Sequence, residues 1–519
     1  MSNSTITADL PRVERRGGQG AAAGFNKVRS DQHFVVTLQN STLSGGQEAI
    51  GSNSDITYYH NCFLTKDGLL HMSGAHNNYT LAQGNSGFSV HDTKKVALLR
   101  RDQNVIWGVI GDPVVIRAAY DCTMVLTDEG DVAVWGYNGH GQQGRGHASG
   151  NGYAQGITGT NVGPRSGIKG RDVVEIDLSK GYPNTSNTLY VRCKDGTVWG
   201  WGYNGYGQLG QNNTSNCYAP VQLHDNTGSP VADAVGIFAG HGDYQAIFVL
   251  RADGTLWSCG QNNWGKLGDG TTGNQYRLTP CVGLPTDSPI KKVQLGGSSR
   301  GASTYVLLKD GRVFGTGYGG QYQLNASASN WSGFNQLPFP LGVTAFTDMW
   351  IAGEYAQGYF NADDGACYAC GYNGNGQLGV GSTSNAYMGK INLPAGVQLK
   401  KVSTAGAYDG ATQRHTTIML GTDGEVYTCG HYAGYFFGNS GGSNWQNPVR
   451  WYRPWPKYAD DPLRRKVVDV VSHAYTSEWG AFVLLNNGEL WAAGRNSNNK
   501  LGTEATNSYP TFVERVEIH

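Results

Sequence analysis

The sequence predicts an all-β fold: a seven- or eight-bladed β-propeller of four-stranded antiparallel blades with an extended N-terminal arm. Three observations carry this prediction. A short phrase recurs eight times: an acidic residue or Asn, then Gly, an apolar residue two positions later, and usually an aromatic. Its turn glycines are Gly68, Gly130, Gly196, Gly254, Gly311, Gly365, Gly424 and Gly488. The steps between them are 62, 66, 58, 57, 54, 59 and 64 residues, the period of one supersecondary unit copied along the chain. Finally, the copies stay aligned beyond the turn, with a second Gly six residues after the first.

Each unit is justified by its residues. Asp-Gly or Asn-Gly between two apolar runs is a hairpin signal, because the tight turn needs residues that tolerate positive φ. In the third copy, Val173 to Leu178 reads as a first strand and Leu189 to Cys193 as a second. Residues Thr197 to Trp201 read as a third strand, and Ala219 to Leu223 as a fourth. Four antiparallel strands repeated about an axis make a propeller, in which neighbouring blades cover one another's faces.

Further slots repeat. Leu81, Leu209, Leu267, Leu324, Leu378, Phe437 and Leu501 hold one position after the second Gly, with Gln143 as the exception, and read as apolar plugs between blades. Five residues after the turn Gly come Ser73, Trp135, Trp201, Cys259, Thr316, Cys370, Cys429 and Ala493, so one structural slot accounts for three cysteines. The nine cysteines read as small buried hydrophobes rather than a disulfide framework. Cys367 and Cys370 have a metal-like spacing, yet residues three apart on a strand point to opposite faces, which excludes a shared ion.

The strings Gly202-Tyr-Asn-Gly-Tyr-Gly-Gln-Leu-Gly210 and Gly371-Tyr-Asn-Gly-Asn-Gly-Gln-Leu-Gly379 resemble the repeat of the regulator of chromosome condensation family. The resemblance covers roughly residues 55 to 519. It implies a β-propeller, seven-bladed in the family's usual members, whereas this chain has eight hairpins, the weakest at Asp67-Gly68. The domain reading is therefore a flexible arm over 1–30 and a single propeller over 31–519.

Gly accounts for 77 of the 519 residues, about twice the usual share of ~7%, and the excess lies in turns and loops. Lys plus Arg and Asp plus Glu are equal at 39 each, so bulk charge makes nucleic acid an unlikely partner. No signal peptide core is visible and no run approaches eighteen apolar residues, which predicts synthesis in the cytoplasm and no membrane span.

No phosphate loop, His-Glu-x-x-His helix or Gly-x-Ser-x-Gly elbow is present. Accordingly no enzymatic activity, catalytic residue, metal site or cofactor is expected. The carboxylate pair Asp363-Asp364 falls on a hairpin turn, where turn chemistry accounts for it.

Two segments stand outside the repeat. The arm carries Arg12, Arg15 and Arg16 among glycines and alanines and reads as a candidate anchoring segment. The connection between the seventh and eighth hairpins carries Arg450, Trp451, Tyr452, Arg453, Trp455, Lys457 and Tyr458, aromatics and cations of the kind enriched at binding hot spots. This is the candidate partner-binding surface.

The expected function is a non-enzymatic scaffold. The chain lacks the Gly-x-x-His-Thr phrase of eukaryotic copies of the family, and its loops, such as Thr214 to Asn216 and Asn439 to Asn444, are rich in Asn, Ser, Gly and Tyr. That texture suggests a prokaryotic or bacteriophage-borne member: a virion component of neck, tail or capsid, or a host-attachment protein. Its partners would be virion subunits, with a surface glycan or receptor as a further possibility. The alternative is an exchange factor for a small GTPase or a chromatin-binding propeller, as the family resemblance implies.

Overall fold

The computed structural model describes residues 55–56, 60–64, 70–75, 89–96, 113–119, 122–148, 152–156, 168, 170–179, 186–240, 245–298, 301–324, 326–353, 355–408, 413–431, 444–451, 465–475, 478–486, 489–494 and 514–515. The expected arm, with Arg12, Arg15 and Arg16, lies outside the described residues.

The described strands run from β1 (Asp55–Ile56) to β32 (Glu514–Arg515) and form eight four-stranded antiparallel sheets, each from four consecutive strands. The protein is an all-β propeller. Blade 3 shows how the repeat folds. It consists of β9 (Val173–Ser179), β10 (Thr188–Cys193), β11 (Val198–Gly202) and β12 (Cys217–Gln222), within two residues of the bounds read from the sequence. Asp195 closes the β10–β11 turn: its Oδ1 accepts from the Thr197 amide at 3.1 Å and the Thr197 hydroxyl at 2.6 Å, and that hydroxyl accepts from Trp199 Nε1 at 3.0 Å. Gly196 sits at φ 80°, where a Cβ would press on the Ala232 carbonyl of the next connection. Asp253, Thr255 and Trp257 repeat the same bonds in blade 4.

From the first sheet to the eighth, the first strand of one contacts the first strand of the next in sequence, so these strands lie innermost. The first sheet, whose hairpin is weakest in the sequence, is no exception, since β1 contacts β5 (Pro113–Ala119).

The leucine plugs sit between blades. Leu209 is fully buried with Tyr190 and Val198 of its own blade and Ile237, Ile247 and Cys259 of the next. Leu267, Leu324 and Leu378 repeat this arrangement. Burying each such side chain contributes about 1.5–3 kcal/mol. The exception, Gln143, is also fully buried, and its Nε2 donates to the Gly136 carbonyl at 2.6 Å.

The third-strand slot holds more than the apolar reading saw: in blades 3, 5, 6 and 7 a hydrogen-bond donor points into the preceding blade. Trp201 Nε1 donates to Gln142 O at 2.7 Å, Cys370 Sγ to Gln323 O at 3.0 Å, Cys429 Sγ to Gln377 O at 3.2 Å and Thr316 Oγ1 to Gly265 O at 2.9 Å. Cys367 and Cys370 pack in different core clusters, on opposite faces of their strand. The eight cysteines from Cys122 to Cys429 are free.

A second device joins the innermost strands. Asp177 on β9 accepts the Ala239 amide of β13 (Ala234–Ala239) at 2.7 Å. Gln294 on β17 (Ile290–Ser298) accepts the Ile351 amide of β21 (Phe346–Ala352) at 2.9 Å. Ser403 on β25 (Leu399–Tyr408) accepts the Ser472 amide of β29 (Val467–Tyr475) at 2.8 Å. The three acceptors occupy one register position in blades 3, 5 and 7. Phe238, Trp350 and Val471 hold that position in blades 4, 6 and 8. From blade 3 to blade 8, polar clasp and apolar wedge therefore alternate along the inner strands, while blade 2 places Arg117 at the same position.

Candidate functional site: an uncharged loop face

Strand direction divides the propeller into two faces. One carries the Asp-Gly turns and the crossings to the next blade. The other carries the long loops between third and fourth strands, 137–147, 203–216, 261–274, 318–330 and 372–385.

Each long loop is held from inside by the residues of its motif. Asn204 is fully buried; its Oδ1 accepts the Leu209 amide at 2.9 Å, and its Nδ2 donates to the Asn213 and Ser215 carbonyls, both at 3.0 Å. Asn262 and Asn373 make the same bonds to Leu267 and Leu378 and to the carbonyls nine and eleven residues on. The motif Gln closes the tip, with Gln208 Oε1 accepting the Tyr206 amide at 3.0 Å and Gln377 Oε1 the Asn375 amide at 3.0 Å. Tyr203 and Tyr372 fold over Gly205 and Gly374, where any Cβ would strike the phenol. From the strand beneath, Tyr190, Tyr305 and Tyr359 each donate a hydroxyl at 3.1 Å to the motif Gln carbonyl, and burial raises their pKa far above the ordinary tyrosine value. A polar frame with this many bonds holds its shape without a ligand.

On this frame stands an aromatic band. His140 meets Tyr203 edge-on at 5.2 Å, Tyr203 meets Tyr206 at 6.3 Å and Trp264 meets Tyr318 at 5.5 Å. Tyr355, Tyr372 and His415 pack together further round. Tyr218, Tyr276 and Tyr322 are exposed at 43%, 41% and 37%. Burial lowers the pKa of His140, whose Nδ1 lies 3.1 Å from Asn216 Nδ2, and so favours the neutral ring.

Among the described residues, the long loops and the Asp-Gly turns differ in charge. The five loops contain only Arg145, Lys266 and Asp269 as formally charged residues, Lys266 buried and the other two half-buried. The turn face exposes Asp195, Asp253, Asp310, Asp364 and Asp423, one per blade. Several belong to local pairs, as with Arg171 and Asp195 or Arg312 and Asp310.

No group of three or more His, Cys, Asp or Glu capable of holding a metal occurs among the described residues. No described helix is long and apolar enough to cross a membrane. Asp363 and Asp364 lie on their turn as expected. Asp363 accepts the Thr344 amide at 3.1 Å, and Asp364 accepts the Ala366 amide at 2.9 Å and the Tyr368 hydroxyl at 2.7 Å.

Of the partner-binding candidates, two are described. Trp451 is 5% exposed and packs with Ile418, Val470 and Val483 in the core between blades 7 and 8. Arg450 ends β28 (Trp445–Arg450) with its Nε 3.8 Å from Glu425. Tyr452, Arg453, Trp455, Lys457 and Tyr458 lie outside the described residues. The loop aromatics Tyr206, Trp264 and Tyr322 are not among the candidates read from the sequence, and their rings take no part in the pins.

Residues 195–242, 253–300 and 364–405 match the family model of the regulator of chromosome condensation (RCC1) repeat. The chain is 25% identical over 416 residues to the human E3 ubiquitin-protein ligase HERC2, covering 79% of this chain and 8% of that protein. It is 30% identical over 223 residues to the mouse regulator of chromosome condensation, covering 41% of this chain and 49% of that one. The chain thus spans a small part of the ligase and about half of the regulator. The fold is shared with Prp20p of Saccharomyces cerevisiae, studied for its binding to Gsp1p and histones: TM-score 0.50, 16% identity, covering 79% of this chain and 89% of that one. In a complex with Kap60, the same yeast protein gives TM-score 0.50 and 15% identity, with coverage of 90% and 96%.

These matches overturn the expectation of a prokaryotic or bacteriophage-borne virion, tail or host-attachment protein, since the relatives are human, mouse and yeast proteins. The physical reason lies in the loops, whose Asn, Ser, Gly and Tyr texture is what the Asn and Gln pins require. The coarser reading, a propeller of repeats that serve protein–protein interaction, stands.

Proposed function

We propose that this chain is a protein-recognition propeller of the exchange-factor kind, which engages a small GTPase of the Ran type through its loop face. The carrying observation is the separation of charge: a rigid, uncharged band of Tyr, Trp, Asn and Ser on one face, with the carboxylates on the other. Aromatic side chains on a fixed frame supply contact area at low entropic cost, and amides supply adaptable hydrogen bonds. The repeat match and the yeast relative's association with Gsp1p support a GTPase as the partner. The test is release of fluorescent GDP from a purified Ran-type GTPase. Acceleration that rises with propeller concentration and saturates is expected. An unchanged release rate, together with no complex on a sizing column, would refute the reading.

A second reading, histone binding, is favoured by the array of turn-face carboxylates, one from each of five described blades. It predicts binding of purified histones that is lost as salt rises.

A further inference from the structure

Two bulky residues on adjacent loops adopt a backbone conformation that such residues rarely take. Trp264 in blade 4 has φ 63° and Tyr322 in blade 5 has φ 67°. At the position of Tyr322 the other described loops carry Gly141, Gly207, Gly265 and Gly376, with φ of 83°, 78°, 79° and 80°. Glycine thus holds this position in four of the eight copies, while tyrosine holds it at Tyr79, Tyr322 and Tyr435; Tyr322 is exposed.

We propose that Trp264 and Tyr322 form the hot spot of the partner contact, directed at an uncharged patch of a folded protein. This rests on the functional reading above and assigns its site. Strain held in place by surrounding structure marks functional positions when the frame over-determines the geometry. Here the frame does so on both sides. The Asn262 bonds fix the loop of Trp264, whose ring stands edge-on to Tyr318. Beside Tyr322, Gln323 Oε1 accepts the Gln321 amide at 2.8 Å, and its Nε2 donates to the Tyr355 carbonyl at 2.8 Å. The same loop holds Ala328 at φ 51°, a second non-glycine residue in the left-handed region. Exposed Asn263 lies next to Trp264, and Ser327, Ser329 and Asn330 are exposed on the Tyr322 loop. Neither loop exposes a formal charge. Recognition by this surface therefore proceeds through aromatic burial and amide bonds and depends little on salt.

The decisive variant is Tyr322→Gly, which installs the residue that four copies use at this left-handed position. It is expected to leave the melting temperature unchanged or higher while weakening binding of a purified Ran-type GTPase, read by titration calorimetry on the full chain, by about tenfold or more. Trp264→Ala is expected to weaken binding to a similar degree, and Asp364→Asn on the opposite face to leave it unchanged. The wild-type dissociation constant is expected to change by less than about threefold between low and high salt. Normal binding by both loop variants, or loss of affinity on raising salt, overturns this proposal alone. A wild-type chain that binds no GTPase overturns the functional reading, and this assignment with it.

Discussion

Replacing Asp177 with asparagine isolates the inner-strand clasp and gives it a pH signature. Asp177 is 1% exposed. Its carboxylate accepts the Ala239 amide at 2.7 Å and the Leu178 amide at 3.0 Å and lies 3.4 Å from Arg117 Nε on β5, so it ties three blades together. Burial raises its pKa from 3.8 to about 6, against the lowering effects of Arg117 and the two amides. A folded-state pKa above the unfolded one means that the native protein holds the proton more tightly. The stability this contributes is fully present below pH 3.8 and is lost as pH rises through about 6. A rise of about two pH units, at 1.36 kcal/mol for each, amounts to about 3 kcal/mol. Asparagine keeps one acceptor oxygen for the Ala239 amide and carries no titrating proton. Denaturation midpoints of wild type and Asp177→Asn, measured in steps from about pH 4 to about pH 8, are therefore expected to diverge in slope, with wild type losing about 3 kcal/mol relative to the variant across this window. Parallel profiles would refute the clasp's role as a titrating group.

Three further outcomes follow from the same geometry. Asn204→Ala removes one accepted and two donated bonds from a buried side chain; a loss of about 2–4 kcal/mol is expected, with faster proteolysis within residues 203–216 as the readout. Lys401 and Asp469 form a buried pair at 2.5 Å between blades 7 and 8; Lys401→Met is expected to cost about 3–5 kcal/mol in chemical denaturation, and the double variant with Asp469→Leu to recover much of it. Burial pushes the thiols of Cys193 and Cys367 up to about 11 and those of Cys281 and Cys370 up to about 12; peptide mapping after alkylation at neutral pH is expected to show these four unmodified in the native protein and fully modified in denaturant.

What the sequence makes readable and what it hides separate along a physical line. The Asp-Gly turn and the Leu209-type plug could be found because one residue type meets one local need at a fixed spacing. The inner clasp could not, because Asp177, Gln294 and Ser403 share only the ability to accept a hydrogen bond, and each partner is a backbone amide on another blade about sixty residues away. The donors of the third-strand slot were hidden for a related reason: Trp, Cys and Thr look unrelated until the carbonyl they face is known. Trp451 misleads in the opposite direction, since its aromatic-and-basic neighbourhood has the composition of an interface while the ring itself fills a core.

The loops make the same point about function. Their Asn, Gly, Gln and Tyr residues recur because a long excursion between two strands must satisfy its own carbonyls and amides, and a buried asparagine does this with three bonds at once. Such residues carry no information about a partner, and reading origin from them led to a virion that the relatives do not support. Information lies in what exceeds the structural need. The Tyr206, Trp264 and Tyr322 side chains are used by no pin, and Tyr322 stands where the fold is better served by glycine. The aligned copies show the position divided, with Gly141, Gly207, Gly265 and Gly376 in four and Tyr79, Tyr322 and Tyr435 in three. Its meaning needed the backbone angle, because only a left-handed φ shows that the substitution goes against the local preference of the chain rather than with it.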